Sequence, residues 1–219
     1  MKLIDQSVRV IYPSTLEAGT NELKLIEIAG RNCWRSEEKI TDDSYRKFID
    51  GLLKRGHESP LEFGSIMFEI VTSRDVMAEI TRHRIASFAI QSQRYVDESK
   101  TGDIEFIRPL FYKTDPDDVM HPSNDKDYVA SRIWRNAMLD IETEYKRMRK
   151  AGMRNEDARK VLPNSTATRI MMKVNLRELL HIYKLRSANS AYPEMRECMR
   201  LLKIEVDKVL PGFLPEKEE

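Results

Sequence analysis

Residues 81–96 hold the side chains of this chain that are best suited to binding a small anion. Arg82, His83 and Arg84 are consecutive, and Ser92 and Arg94 follow shortly after them. Guanidinium and hydroxyl groups donate hydrogen bonds to phosphate, and arginine can do so through two parallel bonds. Three consecutive cationic or titratable side chains cannot all point the same way, so they could serve two ligands on opposite sides. The simpler alternative is that each arginine is a solvated group complementing the dipole at a helix C-terminus.

The chain as a whole has the composition of an ordinary globular protein. Hydrophobic residues make up 41% of the 219 residues and charged residues 33%, which suits one domain over 1–219. The 37 basic residues nearly balance the 36 acidic ones, whereas a protein that binds a long nucleic acid usually carries a basic excess. This balance favours a small anionic ligand and no nucleic-acid partner.

Cysteine usage and hydropathy give expectations about metal binding and location. Cys33 and Cys198 are the two cysteines, and neither lies in a ligand spacing typical of zinc, so we expect no metal site. No apolar run reaches the ~20 residues that cross a bilayer, and the first ten residues do not resemble a signal peptide. We therefore expect a cytoplasmic protein without a membrane segment.

Apolar periodicity predicts the elements that would position residues 81–96. Strands are predicted at 5–11, 64–72, 104–109 and 165–174. Helices are predicted at 20–34, 43–55, 73–82, 126–151, 155–162, 175–186 and 193–209. The stretch 97–125 is predicted to be an irregular excursion, and 213–219 a tail.

Two of these strand–helix units share a pattern. Residues 71–77 and 174–180 each carry valine at the strand end and arginine followed by an acidic residue at the helix start. The two helices finish near Arg82 and at Arg186, respectively. The similarity is either coincidental or a sign that two arginine-tipped helices converge on one anion, and the sequence leaves both interpretations open.

Arg82-His83-Arg84, seven residues and Ser92 resemble the signature of the flavin-dependent thymidylate synthases. Upstream, residues 57–62 are similar to a His-Glu-(Ser/Thr)-Pro-x-Glu segment of that family, although Ser59 to Glu62 also form a capping box with proline at the first helical position. Residues 29–34, 158–163, 168–186 and 194–196 match in order and spacing. The resemblance thus covers nearly the whole chain.

The resemblance implies an α+β fold of long helices packed on a mostly antiparallel sheet, assembled as a homotetramer with active sites at subunit interfaces. FAD would be bound by Cys33, Ser59, Glu62, Arg82, His83, Arg84, Asn175, Arg177 and His181. The nucleotide dUMP would be bound by Glu79, Arg82, Ser92, Gln93, Arg94, Arg159 and Arg186. Arg186 would be the catalytic residue, facing the pyrimidine ring. For Arg159 and Arg177, the residues alone favour intrahelical pairs with glutamates.

The implied reaction is the FAD-dependent methylation of dUMP to dTMP, with methylenetetrahydrofolate as one-carbon donor and NADPH as reductant. It requires positioning and electrostatic stabilisation and no protein nucleophile. Many members carry a glutamate at the position of Ile90 or Gln91, and this chain does not. Glu79 could replace it if one helix continued to Arg82. Tyr192-Pro193 also departs from the glutamine and aromatic residue that members often carry.

These departures leave two alternatives. One is flavin-dependent modification of another pyrimidine nucleotide, either dCMP or a reaction that gives a hydroxymethyl product. The other is a non-catalytic protein that binds nucleotides or RNA through its arginine-rich segment.

Overall fold

The computed structural model describes residues 1–98, 100, 102–113 and 125–216. The chain forms two compact units, each built from separate stretches of sequence. The first unit comprises residues 1–7, 71–80 and 90–170. The second unit comprises residues 8–70, 81–89 and 171–219, of which 217–219 are not described.

The described residues contain six strands and seven α-helices. The strands are β1 (Lys2–Ile4), β2 (Ser7–Tyr12), β3 (Ser65–Ser73), β4 (Ala86–Ile90), β5 (Glu105–Ile107) and β6 (Ala167–Asn175). The helices are α1 (Leu16–Asn32), α2 (Ser44–Arg55), α3 (Arg74–Ile80), α4 (Lys126–Lys150), α5 (Asn155–Ala158), α6 (Leu176–Arg186) and α7 (Pro193–Val209). Short 3-10 helices cover Glu37–Lys39, Ser59–Phe63 and Arg159–Val161. The fold class is α+β with a mostly antiparallel sheet, as predicted.

The first unit is built around the long helix α4 and a two-stranded parallel sheet of β1 and β5. Asp125 caps α4 by accepting hydrogen bonds from the backbone N–H groups of Asp127 and Tyr128. The helix ends at Lys150, and Gly152 beyond it adopts a left-handed φ of 90°, which glycine tolerates best. The core of this unit contains Ile104, Phe106, Met138, Tyr145 and Ala158.

The second unit holds most of a four-stranded sheet with the order β2-β3-β6-β4. Along β3, Ile66, Phe68 and Ile70 are buried and alternate with partly exposed residues, so one face of the strand meets the core. Helix α1 contacts α2, α7 and the 3-10 helix Ser59–Phe63, which also contacts α6. Residues 81–85 belong to the same unit and lead from α3 into β4.

One glycine determines how closely α1 approaches the end of α7. A Cβ atom at Gly19 would lie 1.9 Å from the backbone oxygen of Val209 and 2.9 Å from its carbonyl carbon. Both are backbone atoms, so a side-chain rotation could not relieve the overlap. Glycine at this position thus permits the packing of the two helices.

The structure corrects several local predictions. Residues 86–90 form strand β4, which the sequence did not indicate, and β1 was also missed. Helix α3 ends at Ile80 instead of continuing to Arg82. Ser59 starts a 3-10 helix whose N-cap is Glu58, and no side chain caps it, so the predicted capping box does not form.

Two predicted irregular segments are described only in part. Within 97–125, residues 99, 101 and 114–124 lie outside the described part, and β5 is the short strand predicted at 104–109. Of the predicted tail, residues 217–219 also lie outside it. Phe213 and Leu214 are buried, so the part of the tail that is exposed begins after them.

Candidate functional site

The consecutive residues Arg82, His83 and Arg84 differ in burial. They follow α3 and precede β4 in the second unit. His83 is buried, whereas Arg82 and Arg84 are exposed and form no ion pair with any residue the structure describes. The three side chains therefore do not share one environment, and their service to two ligands stays a prediction.

His83 lies between an arginine and a glutamate, both from α6. Arg186 Nε donates a hydrogen bond to His83 Nε2 at 3.0 Å, and His83 Nδ1 lies 3.3 Å from Glu178 Oε1. Because Nε2 accepts, the neutral ring must carry its proton on Nδ1, from which it donates to Glu178. The sequence predicted His83 and Arg186, but it did not predict Glu178.

The surroundings of His83 favour its neutral form. Burial lowers the pKa of His83 below its ordinary value of 6.5, and the positive charge of Arg186 lowers that pKa further, while Glu178 acts in the opposite direction. His83 is therefore neutral near pH 7, and its Nε2 lone pair can hold Arg186.

Helix α6 positions the other groups of this site. Asn175 is its N-cap and accepts a hydrogen bond from the backbone N–H of Glu178 at 2.8 Å. Glu178 and His181 are three residues apart and so share one helix face. The rings of His181 and His83 are 5.9 Å apart at a steep angle. We refer to His83, Glu178, His181 and Arg186 as the histidine cluster.

Three members of the histidine cluster carry atoms that could coordinate a metal. Ligand atoms of His83, Glu178 and His181 all lie within 4.8 Å of one another. The guanidinium of Arg186, however, donates to the same imidazole. A cation on Nδ1 would require the proton on Nε2, which would break this hydrogen bond. In this arrangement the cluster is better suited to an anionic or polar organic ligand.

Two open concavities in the second unit share Arg84 and Ile85. The larger, of about 550 Å³, is lined by residues 81–85 together with Glu178 and His181. The smaller, of about 340 Å³, is lined by Ser65, residues 84–87, Lys173, Val174 and Asn175. Four of the predicted FAD-binding residues, Arg82, His83, Arg84 and His181, line the larger concavity, and Asn175 lines the smaller one.

The donors in these concavities fit a flavin dinucleotide chemically. Arg82, Arg84 and Lys173 are cationic and can oppose the pyrophosphate charge. The carboxylate in the larger concavity, Glu178, already interacts with His83. Ile85 is 67% exposed and offers apolar surface of the kind on which a planar ring can pack.

Glu62 and Arg177 are brought together, but not in the way that helix spacing suggested. Arg177 Nη1 donates to Glu62 Oε1 at 2.7 Å, and its Nε lies 3.6 Å from Glu58 Oε2. The expected intrahelical pair for Arg177 is therefore wrong, because its partners come from residues 58–62. Ser59 and Cys33 are exposed, and no hydrogen bond or ion pair among the described residues links either one to the histidine cluster.

Of the residues predicted to bind dUMP, Glu79, Ser92, Gln93, Arg94 and Arg159 lie in the first unit, whereas Arg82 and Arg186 lie in the second. After β4 the chain turns at Ser92, whose Oγ accepts from the backbone N–H of Arg94 at 3.2 Å. The Ser92 carbonyl accepts from the N–H groups of Tyr95 and Val96. Gln93 lies inside this turn. We refer to residues 92–96 as the serine turn.

The two arginines of the first unit that are predicted to bind dUMP have few carboxylate partners. Arg94 is about half exposed and lies 3.6 Å from Glu156. Arg159 is exposed and pairs with no carboxylate among the described residues, so the expected pair with a glutamate of its own helix is wrong. Arg159 is close enough to Arg74 to lower the pKa of the Arg74 guanidinium, although burial lowers that pKa more. Repulsion between these two cations would be relieved by an anion.

A buried carboxylate that the sequence did not indicate lies beside the serine turn. Glu98 is 7% exposed, and its Oε1 accepts a hydrogen bond from Gln91 Nε2 at 3.3 Å. Burial raises the pKa of Glu98, while the positive charge of Arg74 lowers it. Residues 90 and 91 carry no carboxylate themselves, but that of Glu98 contacts Gln91 from outside the turn.

The structure also describes Glu79, the possible replacement acid, and Tyr192-Pro193, the second departure from the family pattern. Because α3 ends at Ile80, helical spacing does not relate Glu79 to Arg82 and His83, and the premise for Glu79 as a replacement acid is lost. Tyr192 is the N-cap position of α7, and Pro193 occupies its first helical position, where a missing N–H costs nothing.

The fold is that of the flavin-dependent thymidylate synthases. A solved structure of such an enzyme from Helicobacter pylori, complexed with FAD and dUMP, superposes with a TM-score of 0.72 at 22% identity, over 95% of this chain and 98% of that chain. The UMP/dUMP methylase PolB from Streptomyces cacaoi, bound with 5-Br dUMP, superposes with a TM-score of 0.75 at 23% identity, over 97% and 95% of the two chains.

Sequence comparison defines the family. The chain belongs to the thymidylate synthase complementing protein family, whose model matches residues 15–212. The flavin-dependent thymidylate synthase of Pyrococcus abyssi is 36% identical over 75% of this chain. The match covers 64% of the length of that relative. No helix among the described residues is long and apolar enough to span a membrane.

Proposed function

We propose that this protein catalyses the FAD-dependent methylation of dUMP to dTMP, with methylenetetrahydrofolate as the one-carbon donor and NADPH as the reductant. The observation that carries the proposal is the family match over residues 15–212, combined with the location of Arg82, His83 and Arg84 on one concavity. The relative from Pyrococcus abyssi has this activity in its name, and the Helicobacter pylori structure contains both FAD and dUMP.

FAD would be held by the residues that line the two concavities. Arg82 and Arg84 would oppose its pyrophosphate, and Asn175 and His181 would donate or accept hydrogen bonds. Cys33, Ser59, Glu62 and Arg177 remain predicted contributors, and tetramer assembly could bring them from another subunit. When bound and reduced, the flavin would supply a hydride.

The nucleotide would be held by the cationic groups of the first unit. A nucleotide monophosphate carries nearly two negative charges, which Arg94 and Arg159 can balance, and Ser92 Oγ and Gln93 can donate hydrogen bonds. Arg186, from this or another subunit, would face the pyrimidine ring. Its Nε is occupied by His83, which fixes the plane of the guanidinium. In this orientation Arg186 would stabilise the negative charge that develops on a ring oxygen as carbon 5 becomes nucleophilic.

We further propose a cytoplasmic homotetramer with active sites at subunit interfaces. Large apolar side chains are exposed in the single chain, among them Phe63 at 67%, Tyr95 at 80% and Ile133 at 64%. Subunit interfaces in a tetramer would cover side chains of this kind. Both cysteines are free thiols, which suits a reducing compartment. Sedimentation equilibrium would measure the assembly, and a monomer at micromolar concentration would contradict this part of the proposal.

The reaction is tested with purified protein, FAD, dUMP, methylenetetrahydrofolate and NADPH. We expect a yellow protein and a nucleotide product heavier by one CH2 unit, identified by mass spectrometry. A control reaction without the folate should yield no product of this mass. A colourless protein that stays inactive after FAD is added back would contradict the proposal.

A second candidate is the modification of another pyrimidine nucleotide. Two observations favour it: Ile90 and Gln91 occupy positions where many members carry glutamate, and PolB, a UMP/dUMP methylase, shares the fold. The same assay with dUMP, UMP and dCMP in parallel separates the candidates. Preference for dUMP with a methyl product supports the first proposal, whereas preference for another nucleotide or a hydroxymethyl product supports the second.

A further inference from the structure

We propose that Gln91 is a positioning residue that holds the serine turn in its binding conformation, and that the buried carboxylate of Glu98 is its anchor. The assignment deepens the proposed function, because it rests on the serine turn being the phosphate-binding segment. It concerns a position where the sequence alone suggested only the loss of an acidic group.

Gln91 makes four hydrogen bonds that fix both its backbone and its side chain. Its N–H donates to the Arg169 carbonyl at 2.9 Å, and its carbonyl accepts from Arg74 Nη2 at 3.1 Å. Its side-chain oxygen accepts from Arg169 Nη1 at 3.4 Å, and its side-chain nitrogen donates to Glu98 Oε1 at 3.3 Å. Both halves of the amide are used, so its orientation follows from its partners.

Gln91 lies directly before the serine turn, so its hydrogen bonds affect the conformation of that turn. Gln91 follows the last residue of β4 and directly precedes Ser92, where the serine turn begins. The turn itself is closed by hydrogen bonds from Arg94, Tyr95 and Val96 back to Ser92. Fixing Gln91 therefore fixes the start of the segment that carries Ser92, Gln93 and Arg94.

Glu98 is suited to be an anchor because a buried carboxylate is held firmly in place. A carboxyl group with 7% exposure must keep its hydrogen-bond partners and nearby countercharges, since leaving a buried polar group unpaired is costly. The countercharges near Glu98 are Arg74 and Arg169, the same two arginines that bind Gln91. Arg74 Nε is also buried without a hydrogen-bond partner in the described part of the chain. This guanidinium therefore depends on its bond to Gln91 and on the charge of Glu98.

A positioning role and an acidic role at residue 91 predict opposite effects of Gln91→Glu. If the chain merely lacks an acid at this position, the substitution should leave the turn intact and improve turnover. If Gln91 is held by Glu98, two carboxylates would face each other across about the present 3.3 Å, and the turn should loosen. Adding Glu98→Gln to Gln91→Glu inverts the donor and acceptor and should restore the contact.

The first readout needs no substrate and is hydrogen–deuterium exchange of the amides of Arg94, Tyr95 and Val96. In ligand-free protein we expect Q91E to speed this exchange by about tenfold or more, the equivalent of one hydrogen bond to a charged group. E98Q should have a smaller effect, and Q91E/E98Q should return close to wild type. Ile90→Glu is the matched control, since it adds the same charge one residue earlier at an exposed position and should leave these amides unchanged.

The second readout is steady-state kinetics with dUMP. Q91E should raise the KM for dUMP by about tenfold and change kcat less, with recovery in Q91E/E98Q, because the chemical groups themselves are intact. If Q91E alone does not fold, recovery of folding in the double variant is the same test. Faster turnover in Q91E, or a double variant no better than Q91E, would overturn the assignment. If exchange follows the expected pattern but no pyrimidine nucleotide is converted, the positioning role stands and the proposed function fails.

Discussion

The neutral state of His83 leads to a specific prediction about pH and stability. His83→Gln should preserve both contacts of the imidazole, because the amide nitrogen can donate to Glu178 and the amide oxygen can accept from Arg186. Unlike histidine, glutamine does not titrate. The variant therefore removes the proton-binding equilibrium while retaining the hydrogen-bond pattern.

The sign of the effect follows from the direction of the pKa shift. Burial and Arg186 lower the pKa of His83 in the folded protein below 6.5, so the unfolded chain binds more protons at this residue as pH falls below 6.5. The stabilising contribution of neutral His83 is present above pH 6.5 and is lost as pH falls toward the folded-state pKa. At the low end of this window, protonation would also turn the Nε2 acceptor into a donor facing the Arg186 guanidinium at 3.0 Å.

The size of the pH effect follows from the single proton by which the folded and unfolded states can differ at His83. The free energy of unfolding should change by up to about 1.4 kcal/mol per pH unit from this single group. In urea unfolding at one protein concentration and a series of pH values, wild type should therefore lose stability faster than His83→Gln as pH falls below 6.5. His57→Gln is the control, because His57 is exposed and stacks only on Trp34 among described rings. If the wild-type and His83→Gln curves run parallel below pH 6.5, His83 is not held neutral and the cluster has been misinterpreted.

Three further predictions follow. Arg186→Ala should lower dUMP turnover by about 3 kcal/mol of transition-state stabilisation, or more than a hundredfold, while flavin absorbance shows FAD still bound; near-normal turnover would contradict its role. Arg84→Ala should weaken FAD binding in a fluorescence titration without raising the KM for dUMP, whereas Arg94→Ala should do the reverse; the same effect from both would contradict the division of roles. Gly19→Ala should destabilise the protein by about 1–3 kcal/mol in urea unfolding, because its Cβ overlaps backbone atoms, whereas Gly51→Ala meets only the side chain of Arg55 and should be neutral or stabilising.

Elements with strong periodicity could be predicted closely from the sequence. Helix α4 was predicted at 126–151 and runs over Lys126–Lys150, and β3 was predicted at 64–72 and runs over Ser65–Ser73. The apolar pattern of α4 gave its bounds but not its buried face, since Ser131 and Glu142 are buried and Ile133 is 64% exposed. Strand β3 carries a buried stripe that its alternating sequence reveals. Strand β4 lacks such a stripe, since Ser87, Ala89 and Ile90 are all exposed at the edge of the sheet. Its strand conformation depends on pairing with β6, which no local pattern encodes.

The site shows the same division between local and long-range information. The cationic residues 82–84 could be identified because they are consecutive, and Arg186 because it ends a periodic helix. Their connection through His83 could not, since Glu178 and Arg186 are 95 and 103 residues away in the chain. The role proposed for Gln91 could not be predicted, because the sequence shows only that a glutamate common in the family is absent at this position. The carboxylate of Glu98, to which Gln91 donates, becomes apparent only from its burial and its hydrogen bond.

The two thiols of the chain differ enough to allow selective labelling. Cys33, at the end of α1, is exposed, whereas Cys198 on α7 is fully enclosed and its burial raises the pKa to about 12. A maleimide at neutral pH reacts with thiolate, so it should modify Cys33 and spare Cys198 without any cysteine being removed. A fluorophore or spin label placed there would report whether bound flavin comes near this residue, and protection of Cys33 by FAD would provide the same information chemically.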